Sequence, residues 1–348
     1  MSAVRAAGVE STLMFQEAAA AASAVRTQLS TDAAAIAAIG QEVRRLAPRA
    51  VITCARGSSD HAATYAKYLI ETRAGVMTSS AAPSVSSVYG VSQDLRGCLF
   101  VAISQSGQSP DLLASVAAAK KAGATILALC NSPDSPLMRA ADLAIDLRAG
   151  LESSVAATKS YLATLAALMR LVSAWTLNTE LMSAVDSLPS LMEQSWALDW
   201  SAALPPLESA AHLYVIGRGL GLGAAQEIAL KFKETCGLHA EAFSSAELRH
   251  GPFALLGPGF PALLIAQQDA TQAGVITLGG ELASRGLPVL IAGAFVAGAI
   301  TLPSLDASAE TGPILRVQSA YRLIATLAIR RGFDPDRPVN LRKVTETM

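Results

Sequence analysis

The stretch that decides the fold is residues 213–256, LYVIGRGLGLGAAQEIALKFKETCGLHAEAFSSAELRHGPFALL. Residues 213–216 are a short apolar run ahead of a glycine turn, the pattern of a buried strand. Gly217, Gly219 and Gly221 lead into an amphipathic helix carrying Glu227, Lys231 and Glu234. Spacings of four and three residues place those side chains on one helical face. An extended segment follows, then a short helix ending at His250 before Gly251-Pro252. Two carboxylates, an ammonium and an imidazole in one segment suit proton-transfer chemistry. Taken alone, the three helix charges also read as a solvated face laced by ion pairs. His250 alone reads as a charge complement to a helix C-terminus.

Working outward, the upstream sequence alternates short apolar strands with helices. Residues 11–29 have helical spacing and much alanine, which favours helix. A second helix is expected over 32–46, with Thr31 as its N-cap. Strands are expected at 50–54, near 75–78, at 98–103, at 125–130 and, more weakly, at 143–147. Between them lie a helix after Arg56-Gly57-Ser58-Ser59 and another opening at Pro110, which suits a first turn. Such alternation predicts a parallel sheet with helices on both faces. The second half repeats the first. CARGSS at 54–59 answers IGRGLG at 216–221, with Arg56 and Arg218 162 positions apart. LFVAISQS (99–106) answers ALLIAQQD (262–269), and TILALC (125–130) answers PVLIAG (288–293). Two α/β domains of one topology follow. The expected division is a helical segment 1–46, a first domain 47–195, a second domain 205–338 and a tail 339–348. Residues 161–177 and the segment to Pro206 form a helical connection.

The loop Ser104-Gln105-Ser106-Gly107-Gln108-Ser109 lies between a buried strand and a helix N-terminus. Hydroxyls, a glycine that lets the backbone approach, and free helix N–H groups make an anion cradle. The same hydroxyls would also serve simply to cap the helix and turn the loop. No Walker lysine is present, which argues against a nucleoside triphosphate. Gly57-Ser58-Ser59 sits where ligands bind in open α/β sheets, or is a plain strand-to-helix turn. Residues 152–159, ESSVAATK, form a polar loop opening a helix. Gly219-x-Gly221-x-x-Ala224 imitates a dinucleotide fingerprint, but the acid at the right distance, Glu241, stands in a His-Ala-Glu-Ala context rather than at the end of a clear second strand.

Composition narrows the classes. The chain has 348 residues, 51% hydrophobic and 16% charged, with net charge −1. No basic excess points to nucleic acid and no charge block to an acidic tail. Cys54, Cys98, Cys130 and Cys236 form no CxxC, and the four histidines show no metal spacing, so no metal is expected. Residues 161–177 are interrupted by Arg170 and are short for a membrane span. Without an evident export or anchoring signal, the expected location is the cytoplasm.

The segments CARGSS, ISQSGQSPDLL, LCNSPDSPLMRAAD, AGLESSVAATKSYLATL, residues 216–252 and the tail PVNLRKVTE together carry a resemblance. The chain resembles proteins with two sugar-isomerase (SIS) domains, in particular the isomerase half of glucosamine-6-phosphate synthase. The resemblance implies two tandem SIS domains, each a flavodoxin-like three-layer α/β/α sandwich. It implies phosphate binding at Ser104, Gln105, Ser106 and Ser109, with sugar contacts at Ser58, Ser59, Val155 and Ala156. It gives Glu234 the role of the base that moves a proton between C1 and C2, with Glu227 and Lys231 beside it. His250 falls where the family's histidine opens the sugar ring, donated by the partner of a homodimer. Lys343 matches a tail lysine beside the open-chain sugar.

The synthase begins with a glutaminase domain whose nucleophile is the cysteine after the initiator methionine; here Ser2 follows Met1. That departure, with STLMFQEA near the start and DPDRPVNLRKVTET at the end, resembles the stand-alone SIS deaminases. The resemblance therefore implies a cofactor-free glucosamine-6-phosphate deaminase with a sugar-phosphate substrate, without nucleic acid or membrane. Galactosamine 6-phosphate, a fructosamine 6-phosphate, and a non-catalytic sugar-phosphate sensor are the alternatives.

Overall fold

A computed structural model describes residues 8–343. Two five-stranded sheets organise the chain, every pairing parallel. After helix α1 (Leu13–Ala19) and the long α2 (Ala21–Leu46), the first sheet is laid down as β1 (Ala50–Cys54), β2 (Thr78–Ser80), β3 (Cys98–Ser104), β4 (Thr125–Cys130) and β5 (Leu143–Asp146). Its helices are α3 (Ser58–Arg73), α4 (Pro83–Ser87), α5 (Pro110–Lys121), α6 (Pro136–Ala140), α7 (Lys159–Thr176) and α8 (Thr179–Trp196). The second sheet holds β6 (His212–Gly217), β7 (His239–Ser244), β8 (Ala262–Ile265), β9 (Val289–Ala292) and β10 (Ile300–Leu302). Its helices are α9 (Leu204–Glu208), α10 (Leu220–Cys236), α11 (Gln272–Ser284) and α12 (Thr311–Arg330). Strand order is β2-β1-β3-β4-β5 in one sheet and β7-β6-β8-β9-β10 in the other, the same arrangement twice.

Alternation along the strands explains the layers. Phe100, Ala102, Ile126 and Ala128 face one way and pack with Leu112, Val116 and Ala119 of α5. Leu99, Val101, Ile103 and Leu127 face the other way and are buried too, on the side where α3 packs against α7. In the second sheet Ile216, Leu264 and Ile291 meet Val275, Leu278 and Leu282 of α11. The opposite face is covered by α10, and α12 packs against α10 in turn. These are flavodoxin-like α/β/α sandwiches, as expected.

The compact units interleave along the chain. The amino-terminal unit comprises Ser23–Glu152, Lys159–Asp186, Arg342 and Lys343. The carboxy-terminal unit comprises residues 8–22, Ser153–Thr158 and Ser187–Leu341. A single cut near residues 190–205 describes the chain order of the sheets rather than this grouping.

Several local expectations change. The helix expected to begin after Thr31 is continuous from Ala21 to Leu46. Asp32 lies within the helix and pairs with Arg148 instead of opening a new helix, and Ile36, Gly40 and Val43 continue the buried stripe begun at Val25. A Cβ on Gly40 would lie 2.7 Å from Ala174 Cβ, so glycine lets this helix approach α7 closely. The strand expected near 75–78 is Thr78–Ser80, in register with Val51 to Thr53. Helix α8 runs through Pro189, and β10 is an additional strand. All four cysteines are free and buried. Among the described residues no helix is long and apolar enough to cross a membrane.

Candidate active site

In the amino-terminal unit the expected ligand loops stand at the carboxyl ends of β1 and β3, the edge where open α/β sheets bind ligands. β3 is buried along its whole length and ends at Ser104. Ser104 Oγ accepts the Gly107 N–H at 3.0 Å, and Ser106 Oγ accepts that of Gln108 at 3.4 Å. These serines do turn the loop, yet each hydroxyl keeps its own hydrogen to donate elsewhere. Ser109 is the N-cap residue of α5 and makes no side-chain cap, so helix capping does not account for it. Gly107 has φ 65°, and a Cβ there would lie 2.3 Å from Ser135 Oγ. Both conformation and space demand glycine at this turn.

Gln105 and Gln108 of this loop open on a cavity of about 780 Å³, whose lining also includes Ser132, Arg139 and Glu152. The size is that of a small-ligand site. Ser58 and Ser59 occupy the first turn of α3 and are half-buried. Next to them, burial raises the Asp60 carboxyl above its ordinary range. Arg56, at the end of β1, donates to Asp111 Oδ2 at 3.0 Å, and Asp111 is buried. This pair ties the 57–59 turn to the first turn of α5 behind the serine loop. Residue-type patterns did not single it out, although Arg56 stands within the quoted CARGSS segment. Lys343 is 3.7 Å from Glu152 Oε2, and Glu152 also accepts from Ser160 N and Oγ.

In the carboxy-terminal unit, α10 begins after Gly219 and ends at the left-handed Gly237. Its charged face is not solvated. Glu227 and Lys231 are fully buried, and the Glu234 side chain is 19% exposed. Lys231 Nζ lies 2.6 Å from Glu234 Oε2 and 3.5 Å from Glu227 Oε1. Tyr321 of α12 donates to Glu227 Oε1 at 2.9 Å and is itself buried. Buried charges persist only when paired and hydrogen-bonded, and here a lysine bridges two carboxylates. The outer carboxylate is the one that reaches solvent. A partly exposed acid held by a buried cation is an arrangement suited to taking up and returning a proton. Tyr321 lies 94 residues from its partner, which is why no local pattern revealed it.

His250 closes a single 3-10 turn, Glu247–His250, pinned by buried Leu248, and its own side chain is exposed. Gly251 follows at φ 137°, a conformation reserved for glycine. Val155 and Ala156 lie in the Ser153–Thr158 loop of this unit, Ala156 fully buried and Val155 half-buried. The structure thus groups Glu227, Lys231 and Glu234 in one cluster and the serines in another. Among the described residues no group of three or more His, Cys, Asp or Glu could hold a metal ion.

The SIS domain model matches residues 47–174 and 206–293. The chain belongs to the SIS domain family. The chain is 32% identical over 303 residues to a glutamine–fructose-6-phosphate aminotransferase (isomerizing) of Sulfurisphaera tokodaii, covering 84% of this chain and 49% of that one. The corresponding Thermotoga maritima enzyme is 33% identical over 327 residues, covering 84% and 50%. The chain thus spans about half the length of the curated relatives it matches. A candidate phosphosugar isomerase from Silicibacter pomeroyi superposes with a TM-score of 0.90 at 37% identity, over 93% of this chain and 100% of that one. The C-terminal domain of glucosamine-fructose-6-phosphate aminotransferase from Francisella tularensis gives 0.84 at 27% identity, over 94% and 98%. A Thermotoga maritima glucosamine-6-phosphate deaminase, 23% identical with a TM-score of 0.79 over 97% and 100%, shares the fold.

Proposed function

We propose that this chain is an amino-sugar phosphate deaminase/isomerase that converts glucosamine 6-phosphate and water into fructose 6-phosphate and ammonia. The observation that carries the reading is the Glu227–Lys231–Glu234 cluster, buried where a helix surface would ordinarily be wet. Lys231 engages Oε2 of Glu234 and leaves the other carboxylate oxygen to work as base.

In the proposed reaction the 104–109 loop holds the phosphate, and binding energy from that remote group orients the reacting carbons. His250, supplied by the partner of a homodimer, assists ring opening. Glu234 removes the C2 proton of the open-chain sugar, giving an enolamine, and returns a proton to C1. The resulting C2 imine is hydrolysed by water, releasing ammonia and leaving the C2 carbonyl. One carboxylate serves first as base and then as acid. Lys231 and Lys343 offset negative charge that develops on the substrate. The preference for ammonia release over amine transfer rests on the resemblance of STLMFQEA and the 334–347 tail to the stand-alone deaminases.

An ammonia-release assay across glucosamine, galactosamine and fructosamine phosphates tests this. Release from glucosamine 6-phosphate, with fructose 6-phosphate as co-product, is expected. Sugar-phosphate binding without turnover of any member would replace the reading with that of a sensor.

A further inference from the structure

We propose that Glu17 is a positioning residue of this site, holding the Ser153–Thr158 loop from the N-terminal helix. The inference rests on the function proposed above and on the family resemblance, which implies that Val155 and Ala156 contact the sugar chain. Glu17 lies in α1, outside both segments matched as SIS domain. The residue is only 8% exposed. Oε1 accepts the Ser153 N–H, and Oε2 accepts the Ser154 N–H at 3.2 Å. A carboxylate taking consecutive backbone N–H groups makes strong, charge-assisted bonds and fixes the peptide planes that carry them. Those peptides lead directly into Val155 and Ala156.

The helix that presents Glu17 has seven residues, too few to be stable alone, and is clamped at both ends. Leu13 and Met14 donate their N–H groups to Asp336 at 2.7 and 2.8 Å. At the other end, the Ala18 carbonyl accepts from Gln318 Nε2 at 2.9 Å. Gln318 lies three residues before Tyr321 on α12, so the two share a helical face. Tyr321 in turn bonds Glu227. A continuous set of bonds therefore runs from the catalytic helix through α12 and α1 to the sugar loop, all within the carboxy-terminal unit. Simple anchoring of the N-terminus would need the clamps at Asp336 and Gln318 but not a buried carboxylate aimed at the loop.

Two measurements on the full-length protein separate positioning from anchoring. In native-state hydrogen exchange, Glu17→Ala should speed exchange at the Ser153 and Ser154 amides at least about tenfold, with α10 protected as before. In steady-state kinetics with glucosamine 6-phosphate, KM should rise at least about tenfold and kcat change less, since the proposed role of the loop is to bind the sugar and not to move its protons. Glu17→Gln keeps an acceptor oxygen and should bring KM back to within about threefold of wild type. Unchanged exchange in both variants overturns the proposal, as does faster exchange with unaltered KM and a lowered Tm. If wild type turns over no amino-sugar phosphate, the reaction assignment fails, and the exchange result still decides whether Glu17 holds the loop.

Discussion

Tyr321 gives its phenolic hydrogen to Glu227 over 2.9 Å, with both residues fully buried. This bond secures the inner carboxylate of the α10 cluster from a second helix, and through Lys231 it bears on Glu234. Tyr321→Phe removes one hydrogen bond to a charged group while keeping the ring volume. The expected cost is about 1.5–3 kcal/mol of stability, read as a lower urea midpoint at constant m-value. Turnover should fall with it because Lys231 loses a fixed partner. A variant with wild-type midpoint and wild-type kcat would remove Tyr321 from the cluster's support.

The serine loop is tested by replacing Ser104 and Ser106 together with alanine. Two donors to a phosphate at roughly 1.5–3 kcal/mol each imply a loss of at least about a hundredfold in kcat/KM. Because Ser104 and Ser106 also accept N–H bonds inside the loop, near-UV circular dichroism should accompany the assay. Near-normal efficiency on the phosphorylated sugar would show that the phosphate binds elsewhere.

The proposed sharing of His250 gives a complementation test. Glu234→Gln and His250→Ala subunits should each be nearly inactive. If the histidine serves the neighbour, a mixed dimer holds one site with both defects and one with neither. Purified heterodimers are then expected to recover about half of normal activity per dimer. Intact heterodimers without recovery would confine His250 to its own subunit or to no catalytic role.

The thiols set an alkaline limit. Burial pushes Cys54 up to about 11 and Cys236 up to about 12, from an ordinary 9.0. Folded thiols stay neutral where unfolded ones ionise, so the stability they contribute is intact below pH 9. It is lost as pH rises towards 11 for Cys54 and 12 for Cys236, by about 1.4 kcal/mol per pH unit for each thiol. Urea midpoints measured from pH 8 to 10.5 should fall less steeply in Cys236→Ala than in wild type. Identical slopes would sink the attribution.

Much of this was legible in the sequence because strands β1, β3, β4 and β8 are short, mostly apolar runs between glycines and polar turns. The 104–109 loop and the α10 charges were legible by type and spacing. What spacing could not supply was environment. The same i, i+4, i+7 pattern describes a wet face and a buried one, and α12, almost a hundred residues on, decides between them. Arg56–Asp111 and Glu17–Ser154 are likewise contacts between distant segments, made by residues whose own neighbourhoods are unremarkable. Thr31 misled for a different reason: a good capping residue does not stop a helix when alanines and a buried stripe continue on either side.

The bond from Gln318 to Ala18 spans 300 residues, and those from Leu13 and Met14 to Asp336 span more. This gives the molecule a clock. At translation rates of about 5–20 residues per second, α1 waits roughly 15–60 s on the ribosome for the helix that receives it. Met14 and Ala18, both fully buried at the end, lack the cover of α12 during that interval. A chain stopped before α12 should leave residues 8–22 open to protease while β1 to β5 are already resistant. Docking of α1 is then among the last events of folding, and the loop gripped by Glu17 takes its shape only in a protein whose synthesis has reached Asp336.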